Sequence, residues 1–244
     1  MIDKSLVKRR FKKSLKTYSD NAIVQKQAAI NLIEMLPKKE YPSVFEIGCA
    51  TGILTEQIIE NIEFKTFTVN DIVDESKHYI DKMLTNYTFI AGDIESVNIT
   101  NTYDLIISNA CFQWCNSLQN LLSKLLSCLN KNGVLAFSVF GKDNMKELNK
   151  LFDITQKCYS KDELKSYFIN KDNLVIKEET TQLLFNSPLD VLQHLKLTGA
   201  NAVKEHKFTK SALNNFEQEY INRYSKNEKV CLTYNPVYVV YCKR

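Results

Sequence analysis

The stretch that decides the fold is Glu46–Gly52, which reads Glu-Ile-Gly-Cys-Ala-Thr-Gly and separates two hydrophobic patterns. Residues 43–47 form a short apolar run typical of a buried strand, and residues 53–59 carry apolar side chains at helical spacing. The chain has only 6 glycines in 244 residues, and this segment holds two of them, four positions apart. The pattern predicts a strand, a tight glycine turn and a helix.

The glycine turn predicts a site for an anionic or nucleotide-like ligand. Glycine permits a positive φ and a close approach to the backbone, and the helix N-terminus offers unpaired N–H groups. The Gly-x-x-x-Gly spacing differs from the dinucleotide fingerprint Gly-x-Gly-x-x-Gly, which argues against NAD. Glu46 can pair with an ammonium group. These features suit the amino-acid end of S-adenosylmethionine, held by Glu46 and the turn residues Gly48, Cys49, Ala50 and Gly52.

Acidic residues also follow the next two predicted strands. The run Phe67-Thr68-Val69 ends at Asn70-Asp71, and an acid at the tip of a second parallel strand is placed to hold a ribose diol. We therefore include Asp71 and Ile72 in the cofactor site. After the run 87–91, Asp93 is predicted to accept a hydrogen bond from adenine, with Ile94 packed on the ring. Single acids in such loops also cap helices, but their order matches a switch-point site.

Composition favours one enzyme-sized domain. A chain of 244 residues that is 44% hydrophobic can form one α/β domain with a large core. The 7 cysteines include no Cys-x-x-Cys pair and there are only 3 histidines, which argues against a metal site. No apolar run reaches membrane length, and no apolar signal region follows the basic N-terminus. These features predict a cytoplasmic protein that does not enter the membrane.

Strand and helix patterns alternate along residues 43–140, which predicts a doubly wound parallel sheet. Two helices, 4–18 and 21–36, precede it. Gly133 is predicted to end a helix before a strand at 134–139, and the last strand is expected to begin after Pro236 or to be bulged there. The remaining predicted elements are strands near Val44, Phe67, Phe89 and at 103–108, 174–185 and 237–241, and helices at 118–129, 145–158, 162–168, from 188 and at 211–224.

Several longer segments resemble one family. The acidic-Gly-x-x-x-Gly turn and a seven-stranded sheet with an antiparallel final pair resemble class I S-adenosylmethionine-dependent methyltransferases. More specific segments are similar to the malonyl-acyl-carrier-protein O-methyltransferases of biotin synthesis. They are Tyr18-Ser19, Gly92–Ser96, Ser108–Ala110, Gln113-Trp114-Cys115, Phe140–Met145, His194-Leu195-Lys196, Thr198–Ala202 and Leu232-Thr233-Tyr234.

The resemblance implies an α/β fold with three regions in a single domain 1–244. Residues 1–36 would form N-terminal lid helices, 43–140 the cofactor-binding core, and 141–244 a C-terminal helical insertion with the final strands. The sheet would be seven-stranded and mostly parallel. One departure is Ala50, where many relatives have a second glycine. Its methyl group is expected to shift the loop or weaken S-adenosylmethionine binding, and a catalytically inactive relative is the alternative.

The implied reaction is methyl transfer to the free carboxylate of malonyl-acyl carrier protein, giving S-adenosylhomocysteine as the second product. A carboxylate is already anionic at neutral pH, so no general base is required, and the work of the enzyme is orientation and exclusion of water. The resemblance implies no metal. The residues predicted to act in catalysis are Tyr18, Asn109 and Gln113, with Asn109 also near the cofactor; those predicted to bind substrate are Tyr18, Trp114, Lys142 and His194.

The basic N-terminal segment suggests the partner. Lys8, Arg9, Arg10, Lys12 and Lys13 lie on a predicted helix and are expected to steer the acidic carrier protein. Three alternatives remain: a methyltransferase of another small acid or metabolite, an RNA-binding methyltransferase that uses this segment, and a non-catalytic S-adenosylmethionine-binding module. No nucleic acid is expected as a partner, and the oligomeric state stays open. A charge run is also commonly a solvated helix face.

Overall fold

Helices and strands alternate through the first 140 residues of the computed structural model, which describes residues 1–152, 157–169, 171–201 and 209–244. The helices are α1 Lys4–Asn21, α2 Ile23–Glu34, α3 Ile53–Asn61, α4 Lys77–Ile80, α5 Leu118–Ser127, α6 Lys146–Phe152, α7 Lys161–Ser166, α8 Pro188–Leu197 and α9 Lys210–Tyr224. The strands are β1 Ser43–Ile47, β2 Thr66–Asp71, β3 Thr88–Ala91, β4 Tyr103–Ser108, β5 Leu129–Phe140, β6 Leu174–Glu178, β7 Thr181–Phe185, β8 Ser225–Lys226, β9 Lys229–Tyr234 and β10 Pro236–Cys242.

The main sheet has the order β3-β2-β1-β4-β5-β10-β6. Strands β1 to β5 pair in parallel, and β10 runs antiparallel to both β5 and β6. This arrangement confirms the predicted doubly wound, mostly parallel, seven-stranded sheet. The strand order reverses between β1 and β4, and ligands of such sheets bind outside the carboxyl ends of the strands at that point.

Both faces of the main sheet are buried, as parallel sheets require. Phe45 and Ile47 of β1 belong to one apolar cluster with α5 and the inner face of β5, whereas Val44 belongs to a second cluster with α2 and α3. Only the strand ends therefore reach ligands. This positions the turn after β1 at the open edge of the sheet.

A second sheet, of order β7-β9-β8, lies beyond the main one. The single strand predicted across 174–185 is wrong, because β6 pairs with β10 in the main sheet and β7 pairs with β9 in the second sheet. The amide of Asn235 fixes the crossing by donating to the Glu179 carbonyl at 2.7 Å. Pro236 starts β10 and is not bulged within it, consistent with its missing N–H. The C-terminal region thus contains a small sheet as well as helices.

Two other predicted boundaries differ. Gly133 does not end a helix, because α5 ends at Ser127 and Gly133 lies inside β5. A Cβ at Gly133 would lie 2.9 Å from the Asn130 carbonyl oxygen, so close backbone packing explains this glycine. The predicted helix to Cys158 is also too long: α6 ends at Phe152, residues 153–156 lie outside the described residues, and 157–160 are not helical. No helix in the described ranges is long and apolar enough to cross a membrane.

Helix α1 lies across the open edge of the main sheet. The side chain of Asp3 caps its first turn by accepting from the Leu6 N–H at 3.0 Å. Its far end packs on α8, where the Thr17 hydroxyl donates to the Leu197 carbonyl at 2.8 Å. Position 199 admits no larger residue, since a Cβ at Gly199 would lie 2.8 Å from the Ser14 hydroxyl oxygen. Ala202 of the sequence segment that follows lies outside the described residues.

Candidate active site

A cleft of about 670 Å³ opens at the switch point between the carboxyl ends of β1, β2 and β4. One face of α1 closes it, and the strand-end loops form the opposite wall. From α1, the lining residues are Lys4, Val7, Phe11, Leu15 and Tyr18. From the loops, they include Gly48, Ala50, Asp71, Ile72, Asp93, Ile94, Asn109, Cys111 and Trp114. Most of the predicted cofactor residues therefore meet in one cleft beneath a helix that the prediction described as a lid.

The turn after β1 brings the backbone to the floor of the cleft. Gly48 has a φ of +76°, and a Cβ there would lie 2.5 Å from the Cys111 sulfur, so only glycine fits. Ala50 also has a positive φ, +47°, and its N–H donates to Asp71 Oδ2 at 2.8 Å. Alanine in this region costs roughly 1–2 kcal/mol. Cys49 and Gly52 belong to the same turn but do not line the cleft.

Asp71 is a buried carboxylate held by backbone donors. It accepts from the N–H of Ala50 at 2.8 Å and from the N–H of Val73 at 2.7 Å. Burial raises its pKa to about 6, against the lowering effect of these hydrogen bonds. The side chain is thus preorganised at the end of β2, where the sequence predicts a ribose contact.

We expect ligand binding at Asp71 to depend on pH. Because an ionised carboxylate is the better acceptor for ribose hydroxyls and the pKa of Asp71 is about 6, S-adenosylmethionine affinity should fall as the pH drops below about 6, roughly tenfold per pH unit. Calorimetry between about pH 5 and about pH 8 would measure this. Asp71→Asn should bind more weakly throughout and lose the additional fall below about pH 6, leaving only the dependence that Glu46 contributes. A flat profile in the unsubstituted protein would contradict the assignment.

Glu46, which is predicted to pair with a ligand ammonium group, lies in the protein interior behind the cleft. It is fully buried, and Oε2 accepts from the Thr55 hydroxyl at 2.7 Å while Oε1 has no partner in the described part of the chain. Burial raises its pKa to about 8. Glu46 does not line the cleft, so its pairing with a ligand ammonium stays a prediction, and an ammonium brought close would favour its ionised form.

Asp93 is paired with a residue that the sequence reasoning missed as a site residue. Lys4 of α1 places its Nζ 3.1 Å from Asp93 Oδ2 and 2.6 Å from Glu95 Oε2. Burial lowers the pKa of Lys4, but these two carboxylates outweigh it and the pKa is raised. Asp93 lines the cleft, so the predicted adenine contact stays possible beside this ion pair.

The lysines of α1 form a row that faces the acidic rim of the cleft. Lys4 pairs with Asp93 and Glu95, Lys8 with Asp74 at 3.2 Å, and Lys12 with Glu75. The spacing of four residues puts all three on one face of the helix. This row attaches α1 to the loops after β2 and β3. The sequence signal for this attachment is the lysine spacing together with Asp74-Glu75 and Asp93-x-Glu95, whereas Lys8 and Lys12 are predicted from the sequence to steer the carrier protein.

A second, smaller cavity of about 260 Å³ adjoins the cleft. The two share Phe11, Tyr18, Ala110 and Trp114 as a common wall. The other residues of the small cavity are Gln25, Gln113, Phe140, Met145, Thr198 and Ala200. Tyr18 and Trp114 thus line both the cleft and the small cavity. Residues that separate a bound cofactor from a second ligand would have this position.

Tyr18 presents a hydroxyl group with no hydrogen bond among the described residues. Its side chain is 9% exposed, and its ring lies 6.4 Å from that of Phe11. Burial raises the pKa of Tyr18 well above its usual value, so the hydroxyl keeps its proton and acts as a donor. Trp114 packs edge-on against Phe11 at 5.4 Å. Tyr18 and Trp114 thus provide apolar packing around Phe11, and the Tyr18 hydroxyl provides a hydrogen-bond donor that no described residue uses.

Both polar atoms of the Asn109 side chain form hydrogen bonds within the protein. Its Nδ2 donates to the Gln25 carbonyl at 2.8 Å, and its Oδ1 accepts from the Ser138 hydroxyl at 2.6 Å. Asn109 thereby ties α2 to the ends of β4 and β5 while lining the cleft. Gln113 lines the small cavity and donates to the Ala110 carbonyl at 2.6 Å. Catalytic roles for both stay predictions.

The structure does not place Lys142 and His194 at either cavity. Lys142 is largely exposed and contacts the Cys158 carbonyl at 2.5 Å and Glu163 at 3.3 Å. His194 is 7% exposed and hydrogen-bonds the Tyr234 hydroxyl through Nε2 at 2.8 Å. Desolvation lowers its pKa, which disfavours the positive charge predicted for it. No group of metal-ligating side chains is found in the described ranges.

Comparison with known proteins agrees with this geometry. The family model described as a methyltransferase domain matches residues 21–176. YcgJ from Bacillus subtilis superposes with a TM-score of 0.62 at 13% identity, covering 89% of this chain and 99% of that one. The N-methyltransferase NodS from Bradyrhizobium japonicum, solved with S-adenosyl-L-homocysteine, superposes with a TM-score of 0.57 at 12% identity, covering 97% and 98%. Fold and family model together define a class I methyltransferase.

Full-length relatives specify the family. A malonyl-[acyl-carrier protein] O-methyltransferase from Calditerrivibrio nitroreducens is 34% identical over 240 residues, 97% of this chain and 96% of the relative. Another, from Haemophilus influenzae, is 30% identical over 245 residues, 98% and 94% of the two chains. The chain belongs to the malonyl-[acyl-carrier protein] O-methyltransferase family.

Proposed function

We propose that this protein transfers a methyl group from S-adenosylmethionine to the free carboxylate of malonyl-acyl carrier protein, as the names of its relatives state. The observation that carries the proposal is the pair of adjoining cavities with Tyr18 and Trp114 in the shared wall. The larger lies at the switch point, and the smaller adjoins it across Tyr18 and Trp114. The resulting methyl ester would enter the synthesis of the biotin side chain, in the cytoplasm.

The residues of the cleft fit S-adenosylmethionine. Gly48 lets the backbone of the turn line the cleft while it packs against Cys111, where a Cβ would clash, and Asp71 offers a buried carboxylate at the end of β2. We assign the methionine end to the turn at 48–52 with Glu46 behind it, the ribose to Asp71 and Ile72, and the adenine to Asp93 and Ile94. Apolar side chains of α1 cover the cleft and exclude water, which strengthens the electrostatic contacts within it.

The chemistry requires positioning more than proton transfer. When bound, S-adenosylmethionine supplies a methyl group on a cationic sulfonium. An O–CH₃ bond forms at the carboxylate as the S–CH₃ bond breaks, and the sulfonium and the carboxylate become a neutral thioether and a neutral ester. No proton moves. The Tyr18 hydroxyl, which keeps its proton, would orient the carboxylate by a hydrogen bond, and Trp114 and Phe11 would form the apolar wall.

Mass spectrometry tests the proposal directly. Malonyl-carrier protein incubated with the enzyme and S-adenosylmethionine should gain the mass of one methylene group, and acetyl-carrier protein, which lacks the free carboxylate, should gain none. Carrier protein and RNA should be compared as substrates in the same assay. Methylation of RNA or of another small acid, without methylation of malonyl-carrier protein, would overturn the proposed substrate.

The carrier surface predicted from the sequence needs adjustment. Lys8 and Lys12 are paired with acids of the cleft rim, so they serve to attach α1. Lys13 and Lys16 are exposed on the remaining surface of α1. We propose that they contribute to docking the acidic carrier beside the cavities, with an attraction screened beyond about 8 Å at physiological salt.

Reversing these charges should weaken carrier binding and leave the chemistry intact. Lys13→Glu with Lys16→Glu is expected to raise the KM for malonyl-carrier protein about tenfold and flatten its salt dependence, with kcat unchanged. Steady-state kinetics at two salt concentrations would measure this. The control is Lys65→Glu with Lys131→Glu, two exposed lysines at the opposite edge of the sheet. Equal effects from both pairs would contradict a docking role for α1.

A further inference from the structure

The turn that follows β3 carries the residues assigned to the adenine. Asp93 and Ile94 line the cleft, and the Asp93 carbonyl accepts the N–H groups of Ser96 and Val97 at 2.9 Å each. These bonds close the turn but leave its later carbonyl groups unused. Backbone carbonyl groups that are withdrawn from water need a donor from elsewhere in the protein. The position of the adenine site therefore depends on what these carbonyl groups contact.

Lys124 of α5 supplies this donor. Its Nζ lies 2.8 Å from the Ile94 carbonyl oxygen and 3.5 Å from that of Glu95, and it also donates to the Val97 carbonyl. An ammonium group has three N–H donors and no acceptor, so three carbonyl groups use all of them. Lys124 does not line the cleft. It therefore acts on the backbone of the turn and not on a ligand.

The same turn is also attached to α1 and to the segment before α5. Lys4 pairs with Asp93 and Glu95, and the Glu95 carboxylate accepts from two backbone N–H groups just before α5 at 2.7 and 2.8 Å. The Lys4 contact belongs to the helix that covers the cleft. Lys124, by contrast, lies on a helix whose leucines pack in the core of the main sheet. Lys124 thus attaches the turn to the core independently of α1.

We propose that Lys124 is a positioning residue for the base of S-adenosylmethionine: by holding the turn after β3, it fixes the Ile94 side chain and the Asp93 carboxylate where the adenine would meet them. The inference rests on the proposed function, in which the adenine is assigned to Asp93 and Ile94. It adds to the site a residue that lies outside the cleft.

Recognition of a base depends on the position of this turn. A hydrogen bond from the adenine amino group to Asp93 weakens steeply when donor and acceptor are misaligned. Without the ammonium group, the carbonyl groups of the turn would rotate toward water, and the turn would move with them. Both contacts with the base would then weaken. The ribose contact with Asp71, at the end of a different strand, would be kept.

Base discrimination tests the inference. In S-inosylhomocysteine a carbonyl oxygen replaces the amino group of S-adenosylhomocysteine, so it repels the Asp93 carboxylate instead of donating to it. Lys124→Met should lower S-adenosylhomocysteine affinity roughly tenfold in calorimetry, the effect of one hydrogen bond to a charged group. S-inosylhomocysteine affinity should change much less, so the ratio of the two affinities should fall. Hydrogen exchange at the N–H groups of Ser96 and Val97 should become faster in the ligand-free protein.

Lys243→Met is the matched control. The Lys243 ammonium donates to the Leu126 and Leu129 carbonyls at 3.3 and 2.6 Å, near the other end of α5, and Lys243 does not line the cleft. This variant loses the same kind of contact, so its melting temperature should fall while the ratio of the two affinities stays unchanged. An unchanged ratio in Lys124→Met, or an equal fall in both variants, would overturn the positioning role.

The outcomes separate this inference from the proposed function. A fall of the ratio in Lys124→Met alone supports the positioning role even if the unsubstituted enzyme makes no methyl ester on malonyl-carrier protein, a result that would overturn the proposed substrate only. Equal affinity of the unsubstituted enzyme for the two nucleosides would overturn the assignment of the adenine to Asp93, and the role of Lys124 with it.

Discussion

Replacing Gly48 with valine is expected to abolish measurable S-adenosylmethionine binding. Gly48 has a φ of +76°, and its missing Cβ would lie 2.5 Å from the sulfur and 2.7 Å from the Cβ of Cys111. Any side chain must therefore displace the turn after β1 or the Cys111 segment, both of which line the cleft. We expect at least about a 100-fold loss of affinity, or about 2.7 kcal/mol, measured by calorimetry. Undiminished affinity would contradict the glycine-turn assignment.

A milder pair of variants separates local clash from loss of fold. Gly48→Ala places a Cβ against the Cys111 side chain. The double variant Gly48→Ala with Cys111→Gly removes this clash and leaves only the backbone strain of alanine at a positive φ, roughly 1–2 kcal/mol. Affinity should recover in part in the double variant. Circular dichroism and melting temperatures of both would show that the sheet has formed.

The second large effect is expected for Tyr18→Phe. Its hydroxyl has no hydrogen-bond partner in the described residues and lines both cavities, so its removal leaves packing intact and takes away a donor to the carboxylate. A bond to a charged group is worth about 1.5–3 kcal/mol, so methyl transfer should slow roughly 10- to 100-fold while S-adenosylmethionine affinity barely changes.

Tyr159→Phe is the matched control for Tyr18→Phe. The Tyr159 hydroxyl is likewise buried and has no hydrogen-bond partner in residues 1–152, 157–169, 171–201 and 209–244, and Tyr159 lines neither the cleft nor the small cavity. Its removal should leave the kinetics unchanged. Unchanged turnover of Tyr18→Phe at subsaturating malonyl-carrier protein would remove Tyr18 from the reacting centre.

The parallel part of the main sheet could be predicted from the sequence because each of its strands, turns and helices is determined by neighbouring residues. The run before Gly48 and the apolar spacing after Gly52 determine a strand, a turn and a helix, and residues at successive strand ends, Asp71 and Asp93, converge once the strands are parallel. The prediction of a single strand at 174–185 is wrong because its division depends on a contact distant in sequence. Its division depends on the Asn235 side chain, more than fifty residues later in the chain, which no local pattern contains.

Side-chain roles were harder to predict because they depend on what each group finds in space. The ring of His194 contacts Tyr234 and Phe185, so it is buried and its pKa is lowered by desolvation. Lys142 meets Glu163 at the surface.

Helix α1 lines both the cleft and the small cavity, so one helix would enclose both ligands. The lysine row Lys4, Lys8 and Lys12 joins this helix to the loops after β2 and β3 through ion pairs that are partly exposed. Such pairs are weak and are screened by salt. The attachment of the helix that encloses both ligands should therefore loosen as the ionic strength rises.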